Sequence, residues 1–227
     1  ISETHKLAFD CSTTSRRDGV RTALLDGNAV HEAFVEAAAM AKPRFAINTT
    51  VSDAGEATDV FCGDGIGSHR AACDAFAADH TVTIPEKRDL VIASCGGRPY
   101  DINMIQAHKA LDAASHACND GGTIILLAEC PDGMGRDDML RWFDAADSRE
   151  LATRLCEKYQ VNGQTAWSLL QKAERFDIRV VTSLSGEATP KMRLKEIAFF
   201  DLEPMIRTAG AIGYIVPNGA GLQITSG

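Results

Sequence analysis

From residue 89 onward the chain alternates short apolar runs with segments of helical period, and this rhythm is its tightest constraint on fold. DLVIAS (89–94), TIILLAE (123–129), DIRVVTSL (177–184) and AIGYIVPNGAG (211–221) read as strands. The first is continuously apolar, as expected of a strand covered on both faces. INMIQAHKALDAASHACN (102–119) and MGRDDMLRWFDAA (134–146) read as helices, two more fall within residues 148–175, and DLEPMIRTAG (201–210) is a last short one ending at Gly210. Asp120-Gly121-Gly122 reads as the stop of the first helix. Strands and helices in strict alternation build a parallel sheet with right-handed crossovers.

The first eighty residues have a different grammar. CSTTSRRDG (11–19) reads as an exposed loop. GNAVHEAFVEAAAMAK (27–42) is helical, with Val30, Phe34, Ala37, Ala38 and Ala41 along one side. RFAINTTV and ATDVFCG, joined through Asp53-Ala54-Gly55, form a hairpin, and GSHRAACDAFAAD follows as a helix capped by Ser68. The rhythm changes at TVTIPEKRD, so the boundary is expected near residue 80. The fold class is therefore α/β. Residues 81–227 make a mostly parallel, Rossmann-like open sheet with helices on both faces, preceded by an α/β unit over residues 1–80.

Composition narrows the function classes. The net charge of −8 over 227 residues argues against a nucleic-acid or anionic-membrane surface. No apolar run approaches the roughly 20 residues of a membrane span. Seven scattered cysteines contain no C-x-x-C pair, which argues against a zinc ribbon or a thioredoxin motif. They read as mostly buried thiols of a reducing, cytoplasmic compartment.

The candidate site lies where the first strand of the second unit ends. Cys95-Gly96-Gly97 stands at a strand's carboxyl end, where open α/β sheets bind ligands and where glycine lets a ligand approach the backbone. The same glycines serve equally for a tight turn, and they lack the fingerprint of a nucleotide loop. Gln106 and Lys109 are three apart and share one face of the following helix. An ammonium beside an amide suits a carboxylate, although the same pair also suits a solvated helix face. Asp101 and Asn103 read as helix caps. Glu129 and Pro217-Asn218-Gly219 stand at other strand ends. A Cys95–His108 nucleophile–base pair is disfavoured, because His108 is angularly offset from Gln106 and Lys109.

Several stretches resemble one family. SCGGRPYDINMIQAHKALDAA (94–114) resembles the S-A-G-G-x-P-x-D-I-N-x-x-Q-x-x-K-A-L-D segment of nickel-dependent lactate racemase and its relatives. DGGTIILLAECPDGMG, LLDGNAVHEAFVEAA, FCGDGIGSHRAAC and IVPNGAG resemble other segments of that family. The resemblance implies two domains with a cleft between them and isomerisation of 2-hydroxy acids at the α-carbon. It implies a nickel pincer nucleotide as cofactor, which accepts the substrate hydride while a histidine takes the hydroxyl proton. Gln106 and Lys109 match the family's Q-x-x-K, which reaches the substrate; Ile105 stands where the family often has Tyr. His5, in ISETHKL, matches a nickel-ligand segment, with Thr4 in place of its Asn. The family's acid–base histidines and tethering lysine lie upstream of anything here. The resemblance thus implies the C-terminal portion of such an enzyme, inactive alone, whose partners are a small 2-hydroxy acid and the N-terminal domain of the same protein. The competing class is a non-catalytic α/β module that binds a small carboxylate or nucleotide. An NAD-type dehydrogenase domain would need a glycine fingerprint that is not here.

Overall fold

A computed structural model describes residues 2–52, 55–184, 186–209 and 212–226. Its backbone contacts divide the chain into two compact units. The first comprises residues 1–10 and 16–81, and the second residues 11–15 and 82–227.

In the first unit, a short helix α1 (Ser2–Lys6) precedes the two-residue strands β1 (Phe9–Asp10) and β2 (Ser15–Arg16). Helix α2 (Ala29–Met40) starts at Asn28, whose side chain accepts hydrogen bonds from the amides of Val30 and His31. Such a cap is worth about 1 kcal/mol. Strands β3 (Ala46–Val51) and β4 (Ala57–Gly63) pair antiparallel, as the sequence indicates; Asp53 and Ala54 of the expected turn lie outside the described residues. Helix α3 (Gly65–His80) begins four residues earlier than a cap at Ser68 implies. Its cap is Asp64, which accepts from Ile66 and Gly67, whereas Ser68 is inside the helix and donates back to the Asp64 carbonyl. The apolar side of α2 reaches no burial: none of its residues is buried, and Phe34 is 38% exposed.

The second unit is built on a parallel sheet. Its strands are β6 (Arg88–Ser94), β7 (Cys118–Leu127), β8 (Asp177–Val181), β9 (Lys195–Glu196) and β10 (Tyr214–Val216), in spatial order β10-β6-β7-β8-β9. A separate pair joins β5 (Thr81–Ile84) to β11 (Gln223–Ser226), a strand that the sequence reading does not anticipate. Helices α4 (Met104–Ala117), α5 (Ser148–Glu157), α6 (Val161–Arg175), α7 (Ala188–Lys191) and α8 (Leu202–Ala209) complete it. Gly210, where the last helix was expected to end, lies outside the described residues.

Both faces of the sheet are covered, which is why its strands read as unbroken apolar runs. Leu90, Ile92 and Ile125 face α8, where Leu202, Met205 and Ile206 pack on them. The alternate residues Val91, Ala93, Ile124 and Leu126, all fully buried, point to the opposite side, where α4 and α6 lie. The expected helix at 134–146 is instead a run of turns ending in a 3-10 segment, Leu140–Asp144. Gly133 and Gly135 have φ of +63° and +83°, a left-handed backbone that no α-helix accommodates. Nor do Asp120-Gly121-Gly122 stop α4. The helix already ends at Ala117, and the glycines form an irregular start to β7, between the pairings Arg88–Cys118 and Leu90–Thr123.

The cysteine reading needs correcting in part. Cys95, Cys118 and Cys130 are buried thiols, whereas Cys11 and Cys156 form a disulfide. CSTTSRRDG is thus not a plain loop: it carries a hairpin tip fastened at Cys11.

One polar seam lies between α4 and α6. The Lys172 ammonium, only 9% exposed at its side chain, pairs with Asp112 at 2.7 Å and donates to the Ser168 hydroxyl at 2.7 Å. His108 is set beside this pair and beside Lys109. Burial holds its imidazole below the usual histidine pKa, the nearby lysines add to that effect, and Ile105 and Asp112 oppose it. A histidine whose folded pKa is depressed contributes stability at pH values above its unfolded pKa, about 6.5, and that contribution is lost as pH falls through the folded value. Chemical denaturation should therefore show stability declining on acidification, with a shallower decline in His108→Gln than in wild type. Parallel curves for the two proteins would contradict the assignment.

The sheet reverses direction at β6. The chain leaves β6 toward β7, β8 and β9 on one side and returns to β10 on the other, so the carboxyl ends of β6 and β10 flank a topological switch point. The turns after these strands meet there. Gly96 has φ +90°, and a Cβ added to it would lie 2.6 Å from Oδ1 of Asn218. Gly97, at φ +82°, would meet nothing within 4 Å. Both alanine variants should lose roughly 1 kcal/mol to the left-handed backbone, but Gly96→Ala should lose measurably more because Asn218 must also move. Equal losses in urea unfolding would show that the Gly96–Asn218 contact carries no weight.

Candidate functional site

The strand ends of the second unit are zipped together by their loops. The loop after β6 bonds to the loop after β7 through Cys130 N to Asp101 O (2.9 Å), Asp132 N to Ile102 O (2.9 Å) and Met104 N to Gly133 O (3.0 Å). The loop after β8 joins through Ser183 N to Glu129 O (2.8 Å) and the Thr182 hydroxyl to the same oxygen (3.2 Å). Glu129 is thus held by its backbone. The Arg98–Pro99 bond in the first of these loops is cis.

Helix α4 rises from this platform. Asn103 caps it, accepting from the Gln106 amide at 3.0 Å, as its sequence position suggests. Asp101 does not share that role. It is 9% exposed, and its Oδ1 has no hydrogen-bond partner among the described residues. The inward face of α4 is mostly alanine: Ala107, Ala110, Ala113, Ala114 and Ala117 are buried beside Met104 and Leu111. Small side chains let α4 approach its neighbours closely. A Cβ on Gly219, in the turn after β10, would be 3.0 Å from the Ala110 Cβ.

The outer face carries the candidate binding residues. Gln106 and Lys109 are brought together: the Lys109 ammonium donates to Gln106 Oε1 at 2.8 Å. That bond occupies the amide oxygen and one of the three ammonium donors. It leaves the amide NH2 and the ammonium as adjacent donors, one neutral and one charged. Lys109 is exposed and Gln106 half-buried. The first-turn amides of α4 contribute less, since Met104, Gln106 and Ala107 spend theirs on Gly133 and Asn103. An anion at this end of the unit would therefore have to be met by side chains. Gly96 and Gly97 border the turn at the base of the same helix.

Cys95 and His108 make no nucleophile–base pair. The buried Cys95 thiol donates to the Ala107 carbonyl at 3.7 Å, and burial pushes its pKa up to about 12, with Cys130 and Asp101 adding to the effect. It is a neutral thiol at any physiological pH. His108 turns its Nδ1 to the Ile105 carbonyl.

His5 belongs to the first unit. It stands in the last turn of α1, with its ring edge-on to Phe34 at 5.3 Å between centroids. Among the described residues no group of three His, Cys, Asp or Glu side chains is gathered that could hold a metal ion. No helix among them is long and apolar enough to cross a membrane.

Comparisons with known proteins agree with this architecture. Residues 84–192 match the family described as the lactate racemase C-terminal domain. The lactate racemase of Thermoanaerobacterium thermosaccharolyticum is 31% identical over 153 residues, 67% of this chain and 36% of that protein. The lactate racemase of Lactiplantibacillus plantarum is 36% identical over 115 residues, 51% of this chain and 27% of that protein. The structure of the Thermoanaerobacterium thermosaccharolyticum lactate racemase apoprotein superposes with a TM-score of 0.86 at 24% identity, covering 96% of this chain and 54% of that one. A Thermotoga maritima protein of known structure shares the fold with a TM-score of 0.66 at 14% identity, covering 88% of this chain and 54% of that one. The chain thus spans about half or less of each of these relatives. Residues 84–192 therefore form a lactate racemase C-terminal domain, and the similarity to lactate racemases extends over 67% of the chain.

Proposed function

We propose that this chain is the C-terminal portion of a 2-hydroxy-acid racemase or epimerase, and that its second unit binds the substrate carboxylate through Lys109 and Gln106. The observation that carries the reading is the Lys109–Gln106 hydrogen bond on the outer face of α4, the helix that follows β6, which sets two donors side by side. A charge-assisted bond from the ammonium and a directed bond from the amide would fix a carboxylate in place and in orientation. The relatives' name supports a hydroxy acid as the substrate class.

Such a protein needs a partner domain. Phe45, Ile47, Val51 and Val60 of the first unit are exposed by half or more, which supports a role as part of a larger folded domain. No described cluster supplies a closed donor set for nickel. The nickel pincer nucleotide that the family implies is thus assigned mainly to the rest of the protein, with His5 as one candidate ligand. This chain alone is expected to be inactive. Its tasks are to bind and orient the hydroxy acid and to exclude water. The net charge of −8 keeps nucleic acid out of the list of partners. The reading also implies a reducing, cytoplasmic setting.

The test uses the full-length protein isolated from cells grown with nickel. Lys109→Ala and Gln106→Ala should each lower kcat/KM for inversion of a hydroxy acid such as lactate by roughly 100-fold. Their melting temperatures should match wild type, because neither side chain belongs to the core. Wild-type kcat/KM in Lys109→Ala would overturn the carboxylate role. A folded full-length protein with neither nickel nor inversion would favour a non-catalytic carboxylate-binding module.

A further inference from the structure

The polar seam between α4 and α6 holds charge that the proposed function does not use. Lys172 lies in the last turn of α6, a helix whose Ala166, Leu169 and Leu170 are buried as it is. A buried ammonium needs partners, because a charge taken out of water unpaired is costly. Its Nζ donates to Asp112 Oδ1 at 2.7 Å, to the Ser168 hydroxyl at 2.7 Å and to the Ser168 carbonyl at 3.5 Å. Asp112 comes from α4, where it is half-buried. Ser115 donates to the Asp112 carbonyl at 2.6 Å and so ties its own side chain to the same turn.

Asp112 also stands three residues after Lys109 on α4. That spacing puts two side chains on one helix face, within reach of an ion pair. Lys109 instead donates to Gln106 Oε1, one turn in the opposite direction, while Asp112 is engaged from the α6 side. His108 feels Lys172, Asp112 and Lys109 together, which places all four groups in one neighbourhood. Lys109 thus takes a neutral partner although a carboxylate lies within helical reach. The difference bears on ligands. An ammonium paired with a carboxylate must give up that pair before it meets another anion, whereas a bond to an amide leaves its charge uncompensated.

We propose that Lys172 is a positioning residue for the outer face of α4: by holding Asp112 from the α6 side, it keeps that carboxylate off the Lys109 ammonium, which stays available to a small carboxylate ligand. The inference rests on the carboxylate-binding role proposed for Lys109. It gives the seam a task beyond joining two helices, since a carboxylate turned toward Lys109 would compete for its ammonium and repel an incoming anion. Exposure divides the work between the two lysines. Lys172 is buried and meets Asp112, whereas Lys109 is exposed and can meet a ligand.

The test compares the wild-type 227-residue chain with Lys172→Met and with Lys172→Met/Asp112→Asn. Two readouts are taken: the rate at which acetic anhydride labels Lys109, followed by mass spectrometry, and the affinity for L-lactate, followed by NMR titration. In Lys172→Met the Asp112 carboxylate turns to Lys109, and both quantities should fall roughly two- to fivefold, the scale of an exposed ion pair. In the double variant the competing charge is gone, and both should return to wild-type values. A seam that only joins helices predicts no such return. Unchanged labelling of Lys109 in Lys172→Met, or a double variant as low as the single one, would overturn the proposal. Should Lys172→Met fail to fold, the double variant still decides, because replacing both members of a buried pair is tolerated better than removing one. Wild-type labelling and affinity in it agree with the proposal, and reduced values contradict it. A wild-type chain that binds no lactate, with labelling in the expected pattern, would remove the carboxylate role and leave the placement of Asp112 standing. Lactate binding with labelling indifferent to Lys172 would do the reverse.

Discussion

The close packing of α4 on β6 and β7 is the contact on which the rest of the second unit depends. It is made mostly by alanines, with Met104 and Leu111 beside them, and so brings the helix axis close to the sheet. The same small residues admit the turn after β10, where Gly219 rests on Ala110. A larger residue at position 107, 110 or 114 would lift α4, and the outer face of the helix would move with it. Gln106 and Lys109 are therefore placed by residues that have no chemistry of their own.

That arrangement bears on the proposed binding end of the unit. Parallel strands leave their carboxyl ends open where the strand order reverses, and here β6 and β10 provide that opening. The loops around it are satisfied by one another, from Asp101 O and Ile102 O to Glu129 O. Backbone groups so engaged cannot grip a ligand. What remains on α4 is one ammonium and one amide, already oriented by their mutual hydrogen bond. In the proposed reading such a pair would orient an anion and leave the chemistry to the rest of a larger protein.

The sequence made much of this legible, and its failures have local causes. The α4 start at Asn103 and the strands β6, β7, β8 and β10 were readable because apolar runs and a capping residue point the same way. The pairing of Gln106 with Lys109 follows from helical spacing alone. The 134–146 segment misled because its apolar spacing is helical, whereas Gly133 and Gly135 impose a left-handed backbone. Ser68 misled as a cap because Asp64, four residues earlier, captures the first amides. Strand β11 was invisible because its partner, β5, is about 140 residues distant in sequence. The Cys11–Cys156 bond was unreadable for the same reason: connectivity is a property of the fold and not of spacing. The Gly96–Asn218 contact left only a hint, in a turn sequence at a strand end.

The central claim is that the outer face of α4 holds a small carboxylate. The most direct measurement is an amide NMR titration of the 227-residue chain with L-lactate and with D-lactate, against sodium chloride at matched ionic strength. The account predicts saturable shifts confined to Gln106, Lys109 and the strand-end turns, reached with lactate and not with chloride, and abolished in Lys109→Ala. Shifts that track ionic strength alone, or that survive in Lys109→Ala, would contradict it.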